Sequence, residues 1–303
     1  MKTGELRPPR RLSMPPADRS NGLVGDKLRE AADLLEQQNA NPFRVRAYRH
    51  AAETLAELGR DVRDIVEQEG TKGLTALPGI GAGIGAAIEE MLRTGRWSQL
   101  DRLRGTLEPD RLFQSIPGVG AALATRIHDA LHVDTLEALE VAAHDGRLAS
   151  VPGIGPRRAA MIRSALAGML GRASGRPAPP AEEPSVETLL DVDRQYRKEA
   201  DAGGLPMIAP RRFNPLREAW LPVLHTERGK WHFTALFSNT ARAHELGRTR
   251  DWVVIYFHGD SHPEGQRTVV TETRGELAGK RVVRGRETEC RAQHGEMPAA
   301  ALA

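Results

Sequence analysis

Three five-residue segments have the make-up of a phosphate-binding turn: Leu77-Pro78-Gly79-Ile80-Gly81, Ile116-Pro117-Gly118-Val119-Gly120 and Val151-Pro152-Gly153-Ile154-Gly155. In each, a small residue stands four positions after the second glycine (Gly85, Ala124, Ala159) and an isoleucine seven positions after it (Ile88, Ile127, Ile162). Proline fixes the entry to a tight turn, and glycine supplies the positive φ and close backbone approach that other residues resist. The small residue and the isoleucine let two helices meet behind the turn. This is the register of a helix-hairpin-helix unit, and its chemistry is electrostatic. The turn leaves backbone N–H groups at the positive end of the second helix, where they attract anions, and a polymer of phosphates is the natural ligand. A single copy could be an ordinary turn between packed helices; three in one register form a repeat.

The copies differ in the residues directly after the turn. Arg157 and Arg158 come directly after Gly155 and its proline neighbour, where they can add charge-assisted bonds to a phosphate held there. The second copy has Ala121-Ala122 in that place and depends on backbone donors, aided by Arg126. The first has Ala82-Gly83 and reads as structural or as a further phosphate grip. The expected DNA contacts are therefore Gly79, Gly81, Gly118, Gly120, Gly153, Gly155, Arg126, Arg157 and Arg158. They touch phosphates rather than base edges, which predicts binding without sequence specificity.

A second set of residues could do different chemistry. His225, Glu227, His232, His244 and Asp251 could converge as an acid/base or metal site, and His258, Asp260 and His262 as another. Neither set has the fixed spacing of a metal motif, so no metal centre is expected. Arg211-Arg212-Phe213 and the run Lys280, Arg281, Arg284, Arg286 place basic groups beside apolar ones. With Glu272, Glu276, Glu287 and Glu289 interspersed, the run reads equally as a nucleic-acid surface or a salt-bridged sheet face. Asp191-Val192-Asp193 follows Leu189-Leu190 on a predicted helix and reads as a solvated face.

Composition and periodicity define the scaffold that holds these groups. The chain has 303 residues, one cysteine (Cys290) and a net charge of +3, which leaves no disulfide framework and no thiolate cluster. No apolar run is long enough to span a bilayer and no signal sequence is visible, so the expectation is a cytoplasmic, nucleoid-associated protein without a membrane partner. The charge divides as +3 over residues 1–20, −2 over 21–170 and +2 over 171–303. The hairpin region is not a basic block, and affinity there rests on local placement of donors.

The predicted fold is multidomain, with an all-α helix-hairpin-helix N-terminal half followed by a small α+β C-terminal domain. Residues 1–20 read as a disordered basic arm, 21–107 as a helical domain holding the first hairpin, and 108–170 as tandem hairpins. Residues 171–185 read as a Pro/Ala/Gly linker, 186–295 as the α+β domain, and 296–303 as a tail. In the second helix, Phe43, Ala47, Ala51, Leu55 and Leu58 are the expected buried face, and Ser238 or Asn239 the expected cap of a short helix. Trp252 to Phe257 reads as a strand buried on both faces.

Residues 25–170 resemble the N-terminal part of family X DNA polymerases. Asn41-Pro42-Phe43-Arg44-Val45-Arg46-Ala47-Tyr48-Arg49-His50-Ala51-Ala52 is similar to the helix of their lyase-type domain, and Leu77 to Gly95 to its hairpin. Residues 112–165, with Leu136-Glu137-Ala138-Leu139 and Gly146-Arg147-Leu148, resemble the adjoining tandem hairpins of the bacterial members. The resemblance implies a 5′-phosphate pocket in which Arg44 and Tyr48 are retained, while other basic positions fall on Thr75 and Gly83. The lysine that forms a Schiff base with an abasic sugar is replaced by Ala87, and a methyl group is no nucleophile. The D-x-D strand that holds two metal ions in the polymerase palm has no counterpart. Phe237-Ser238-Asn239-Thr240 is similar to the family's F-T-G-S turn, with Asn and Thr in place of Gly and Ser. The whole is similar to bacterial helix-hairpin-helix proteins that lack the palm. The resemblance also implies a place for a monovalent cation at a hairpin turn; no other cofactor is expected.

The expected function is sequence-nonspecific, structure-selective DNA binding in repair or maintenance, without polymerase or lyase chemistry. The alternatives are a DNA-processing enzyme with its active site in the C-terminal domain, and a scaffold whose hairpins dock another protein.

Overall fold

The computed structural model describes residues 16–106, 108–170, 182–259 and 262–295. The front of the chain builds five helices, α1 (Pro16–Gln37), α2 (Pro42–Glu57), α3 (Val62–Thr75), α4 (Ala82–Thr94) and α5 (Ser98–Leu103). Short-range chemistry sets their ends. Asn41 accepts from the Phe43 N–H with Pro42 in the first turn, and Asp61 accepts from Arg63 N–H. Gly70, at φ 62°, breaks α3 internally, and Gly95, at φ 73°, ends α4 in the left-handed conformation. Their apolar faces close one core around Leu28, Leu35, Leu55, Ile65, Leu74 and Ile88.

The tandem unit follows as α6 (Pro109–Phe113), α7 (Ala121–Leu131), α8 (Leu136–His144), a 3-10 turn at Arg147–Ser150 and α9 (Pro156–Met169). It has its own core, with Phe113, Ile116, Ile127, Leu139 and Ile162 fully enclosed. Ile88, Ile127 and Ile162, the three isoleucines of the repeat, are all buried.

The last part consists of α10 (Val186–Asp201), β1 (Met207–Ile208), β2 (Leu221–Arg228), β3 (Trp231–Phe237), α11 (Ala241–Glu245), β4 (Val253–Gly259), β5 (His262–Thr271), β6 (Arg281–Val283) and α12 (Glu287–Gly295). The strands form one six-stranded antiparallel sheet in sequence order. Register divides its side chains into two faces. Phe233, Ala235 and Phe237 share a face with Val253, Ile255 and Phe257, and this face shares a core with Leu189, Val192 and Tyr196 of α10. The opposite face carries the rows His225, Thr234, Tyr256, Gln266 and Glu227, His232, His258. That face meets the helical half: Tyr256 and Gln266 bond Asp134, and His225 bonds Gln38. Val253 to Phe257 are consequently buried on both sides, as the unbroken apolar run predicted.

Several local expectations change. Residues 16–20 are helical, within α1, whereas the arm reading extended over them; the rest of that arm, the linker up to residue 181 and the tail lie outside the described residues. Phe43 is 73% exposed and Ala47 is exposed. The helix is instead rotated so that Arg44, Val45 and Tyr48 face inward, because the sheet gives the polar groups of α2 a second surface to pack against. Thr240, not Ser238 or Asn239, caps α11, accepting from Ala243 N–H. Asp193 is not solvated: it is 1% exposed and held by Arg281 at 2.5 and 3.0 Å.

Candidate nucleic-acid interface

The three turns repeat one backbone geometry. The first glycine of each lies at positive φ, 70° at Gly79, 79° at Gly118 and 88° at Gly153, where a side chain would be strained. The next residue closes the turn, with Ile80 N–H to Leu77 O, Val119 to Ile116 and Ile154 to Val151 at 3.0–3.2 Å. The second glycine is the helix N-cap, extended in all three copies and without a side-chain cap. Apart from Leu123, whose N–H donates to Gly120 O at 3.0 Å, and Pro156, which has no N–H, the amides of the first helical turn therefore have no intrahelical acceptor.

The second and third turns are built as a reciprocal pair. A Cβ placed on Gly118 would lie 2.5 Å from Met161 Cε of α9, and one on Gly153 would lie 3.1 Å from Arg126 Nη1 of α7. Met161 and Arg126 each stand six residues after the second glycine of their own hairpin, so each hairpin's second helix reaches over the other's turn. Gly118, Gly120, Gly153 and Gly155 are all exposed on this doubled surface, with Arg126, Arg157, Arg158 and Arg163 around them. The Arg158 guanidinium donates to Gly153 O at 2.8 Å, fixing it against the turn.

At Gly120 and Gly155 an added Cβ would meet no atom within 4 Å. Their φ, −84° in both, is open to any residue. Neither conformation nor internal packing calls for glycine there. The space beside both glycines is open, at a helix N-terminus whose free amides favour an anion.

The first hairpin is differently placed. A Cβ on Gly79 would collide with the His50 ring, and Thr54 Oγ1 donates to Pro78 O at 2.9 Å, so α2 braces this turn. Ala87 is buried, and Gly83 faces His258 of β4. Arg44 and Tyr48 are both buried, and Tyr48 donates to Gln99 at 3.0 Å. Arg44 is close enough to His225 and His258 of the sheet to disfavour their charge, and Tyr48 packs on Trp97, so the arrangement presents neither residue to an incoming strand.

The proposed catalytic residues do not converge. His225 and His232 are on the sheet's inner face, where His225 bonds Thr234 at 3.1 Å and Gln38 at 3.0 Å. Burial pushes its pKa down to about 3, so the ring is neutral. It accepts from Thr234 at Nδ1 and donates to Gln38 from Nε2. His232 contacts Glu227 at 2.7 Å and stacks on His258 at 5.1 Å between centroids. His244 is elsewhere, bonded to Asn239 at 2.6 Å and packed on Phe213. Asp251 holds Arg281 at 2.6 Å and Thr271 at 2.5 Å. Asp260 lies outside the described residues. Among the described residues no group of three or more His, Cys, Asp or Glu side chains is arranged to hold a metal ion, and no helix is long and apolar enough to cross a membrane.

Sequence reasoning missed the polar joint behind the hairpins. His128, on the rear of α7, faces Asp110 at 3.1 Å and Asp134 at 2.8 Å. Burial opposes its charge, but the two carboxylates prevail and hold its pKa up at about 9. Asp134 also accepts from Tyr256 and Gln266 of the sheet. The Arg102 guanidinium stacks 3.5 Å above the Tyr256 ring and pairs with Glu264 at 2.5 Å. The available signal was in β4, where Tyr256 and His258 alternate with apolar residues in a largely buried strand; such polar groups require partners from a second layer.

Residues 19–97 match the helix-hairpin-helix domain family and residues 110–167 the SAM-like helix-hairpin-helix tandem. Over 141 residues, 46% of this chain, the sequence is 30% identical to DNA polymerase/3'-5' exonuclease PolX of Bacillus subtilis (strain 168). The matched stretch spans about a quarter of that relative's length, 24%. The helical half thus resembles the helix-hairpin-helix region of the family X polymerases, and it is joined here to a six-stranded antiparallel sheet.

Proposed function

We propose that this protein binds DNA through backbone phosphates at the second and third hairpins, without reading sequence, as a structure-selective factor in DNA repair or maintenance. The observation that carries the reading is the pair Gly120 and Gly155, glycines that serve neither their own φ nor internal packing. Exposed Arg126, Arg157 and Arg158 add local charge to a region that is not basic as a whole. Polymerase and Schiff-base lyase chemistry are left out because Ala87 offers no amine and Asp193 is committed to Arg281. A catalytic role for the histidines draws the least support, since His225 is neutral and engaged on both ring nitrogens.

The test is fluorescence anisotropy of the full chain on intact duplex and on a gapped duplex, across a salt series. The expected result is salt-dependent binding to both, tighter on the more easily bent gapped duplex. Removing the gap's 5′-phosphate should change nothing, because Arg44 and Tyr48 are buried. Gly120→Ala/Gly155→Ala should weaken binding about tenfold, the worth of a charge-assisted hydrogen bond or two, while the fold persists with only the modest fall in Tm that replacing two glycine N-caps by alanine brings. Undiminished affinity in that variant would refute the phosphate grip.

A further inference from the structure

On the rear of the second hairpin the loop before β2 carries Arg211, Arg212, Phe213, Leu216 and Arg217 and, over residues 211–217, no acidic residue. Phe213 is 49% exposed and Leu216 is 75% exposed. Phe213 and Arg217 both lie at φ 53°, a conformation costly for residues with a side chain that persists only where the surroundings impose it.

The surroundings here do. The Asn214 side chain donates to Glu218 O at 2.7 Å and accepts from Glu218 N–H at 3.1 Å. Arg211 N–H donates to Gly105 O at 2.7 Å, and Asn239 donates to Arg212 O at 3.0 Å. His244, held by Asn239, supports one side of the Phe213 ring at 4.4 Å between centroids. An exposed aromatic ring is thus fixed in place before any partner arrives, which spares the entropy of ordering it on binding.

We propose that this loop is a stacking platform for an unpaired nucleobase, a second nucleic-acid site separate from the hairpin turns. Charge selects the occupant. Arg217 is exposed and makes no ion pair among the described residues, and Arg212 lies 5.3 Å from the ring centroid, while Arg211 pairs with Glu108 at 3.3 Å. Arginine beside an exposed ring is the combination that holds a single strand, the ring taking the base face and the guanidinium the phosphate. Arg212 also reaches Asp110 of α6 at 3.8 Å, which seats the loop on the tandem unit. Arg212 lies 3.3 Å from His128 of α7, eight residues after Gly120, so the loop meets α7 about 12 Å along the helix from the turn of the second hairpin, at 1.5 Å per residue. A strand leaving a phosphate held at that turn can reach it.

The proposal rests on DNA binding at the hairpins, and the experiment separates the two. The full chain is titrated with blunt duplex and with the same duplex bearing a single-stranded oligo-dT tail that contains one 2-aminopurine. The tail should tighten binding about tenfold, the worth of one stacked base, and quench the 2-aminopurine. Phe213→Gly should lose both gains while keeping blunt-duplex affinity, and its Tm should not fall, because glycine suits φ 53°. Arg217→Ala should lose part of the gain and keep the quench. A wild type that binds blunt duplex with no gain from the tail, or a Phe213→Gly that retains the gain, overturns the platform alone. Absence of blunt-duplex binding overturns the hairpin reading instead. Sedimentation showing a dimer that Phe213→Gly dissociates would assign the patch to a second copy of the chain and likewise overturn the proposal.

Discussion

At the first hairpin, Gly79 lies under the His50 ring, Gly83 of the following helix faces His258, and Ala87 is buried. The turn glycines are exposed in all three, but at the second and third each turn is braced by one side chain from the other, and a Cβ on either N-cap glycine would meet no atom within 4 Å. The five-residue pattern and its backbone dihedrals are the same in all three. A helix-hairpin-helix turn is therefore a way of joining helices before it is a ligand site. Whether it also grips phosphate depends on what stands before the helix N-terminus.

The sharpest way to break this contrast is to place a Cβ at the positive-φ glycines. Gly118→Val/Gly153→Val should abolish duplex binding, a loss of at least about 100-fold, because valine is strained at positive φ and would meet Met161 and Arg126 in the paired turns. Gly79→Val should lower Tm by displacing His50 but leave affinity within about twofold, since no phosphate contact is assigned there. Equal losses of affinity from the two variants, each shown to be folded by circular dichroism, would erase the distinction.

The rear of the second hairpin supplies a pH signature the first lacks. His128 is held as an imidazolium with a pKa of about 9 between Asp110 and Asp134, with Arg212 and Asp129 also facing it and His132 kept neutral by burial at about 4. Its folded pKa exceeds the unfolded value near 6.5. The stabilisation is therefore fully present below about pH 6.5 and is lost as pH rises through about 9. The Tm gap between the wild type and His128→Gln should correspond to about 2 kcal/mol at pH 6 and narrow by about pH 10. A gap that is flat with pH would mean that His128 is not charged in the folded protein.

Arg157→Ala/Arg158→Ala tests the charge on the third hairpin. Affinity should fall about tenfold on every sequence alike, with a salt slope shallower by about one to two. Loss restricted to one sequence would point to base contacts rather than phosphates. Because Arg158 bonds Gly153 O, part of the loss comes from loosening the turn, and a smaller effect from Arg157→Ala alone would apportion it.

Much of this arrangement was legible in the residues. The three hairpins, the linear order of helices and the strands at Trp231 and Trp252 follow from turn glycines and from periods of 3.6 and 2. What was hidden is the contact between halves. Phe43 occupies an apolar position on a helical wheel, yet Arg44 is buried and Phe43 is exposed, because the sheet lays a polar face against α2. Asp193 read as solvated because of a pairing inside the C-terminal part: its partner Arg281 is 88 residues away on another element, and local patterning carries no record of so distant a pairing. Residue types suggested His225, His232, His244 and Asp251 as one cluster, but they stand on β2, β3, α11 and the loop before β4, and each has different partners.

The smallest expected effect tests whether the first hairpin is purely structural. Glu90, on the second helix of that hairpin, accepts from Ser98 N–H at 2.9 Å and from its hydroxyl at 2.5 Å. Burial raises its pKa to about 7, with the Glu264 charge adding to the rise, even though the Ser98 bonds pull the other way. A carboxyl whose folded pKa is raised stabilises the fold when protonated, below about 4.5, and that contribution is lost as pH rises through about 7. In Glu90→Gln the side-chain oxygen still accepts from Ser98, and no charge has to be kept out of water. The variant should therefore match the wild type at about pH 4.5 and exceed it by about 1 kcal/mol, a few degrees in Tm, at about pH 8. Duplex affinity should be the same in both at either pH. A variant stabilised at the higher pH but altered in DNA binding would show that the first hairpin takes part in the grip, and would remove the ground for separating it from the other two.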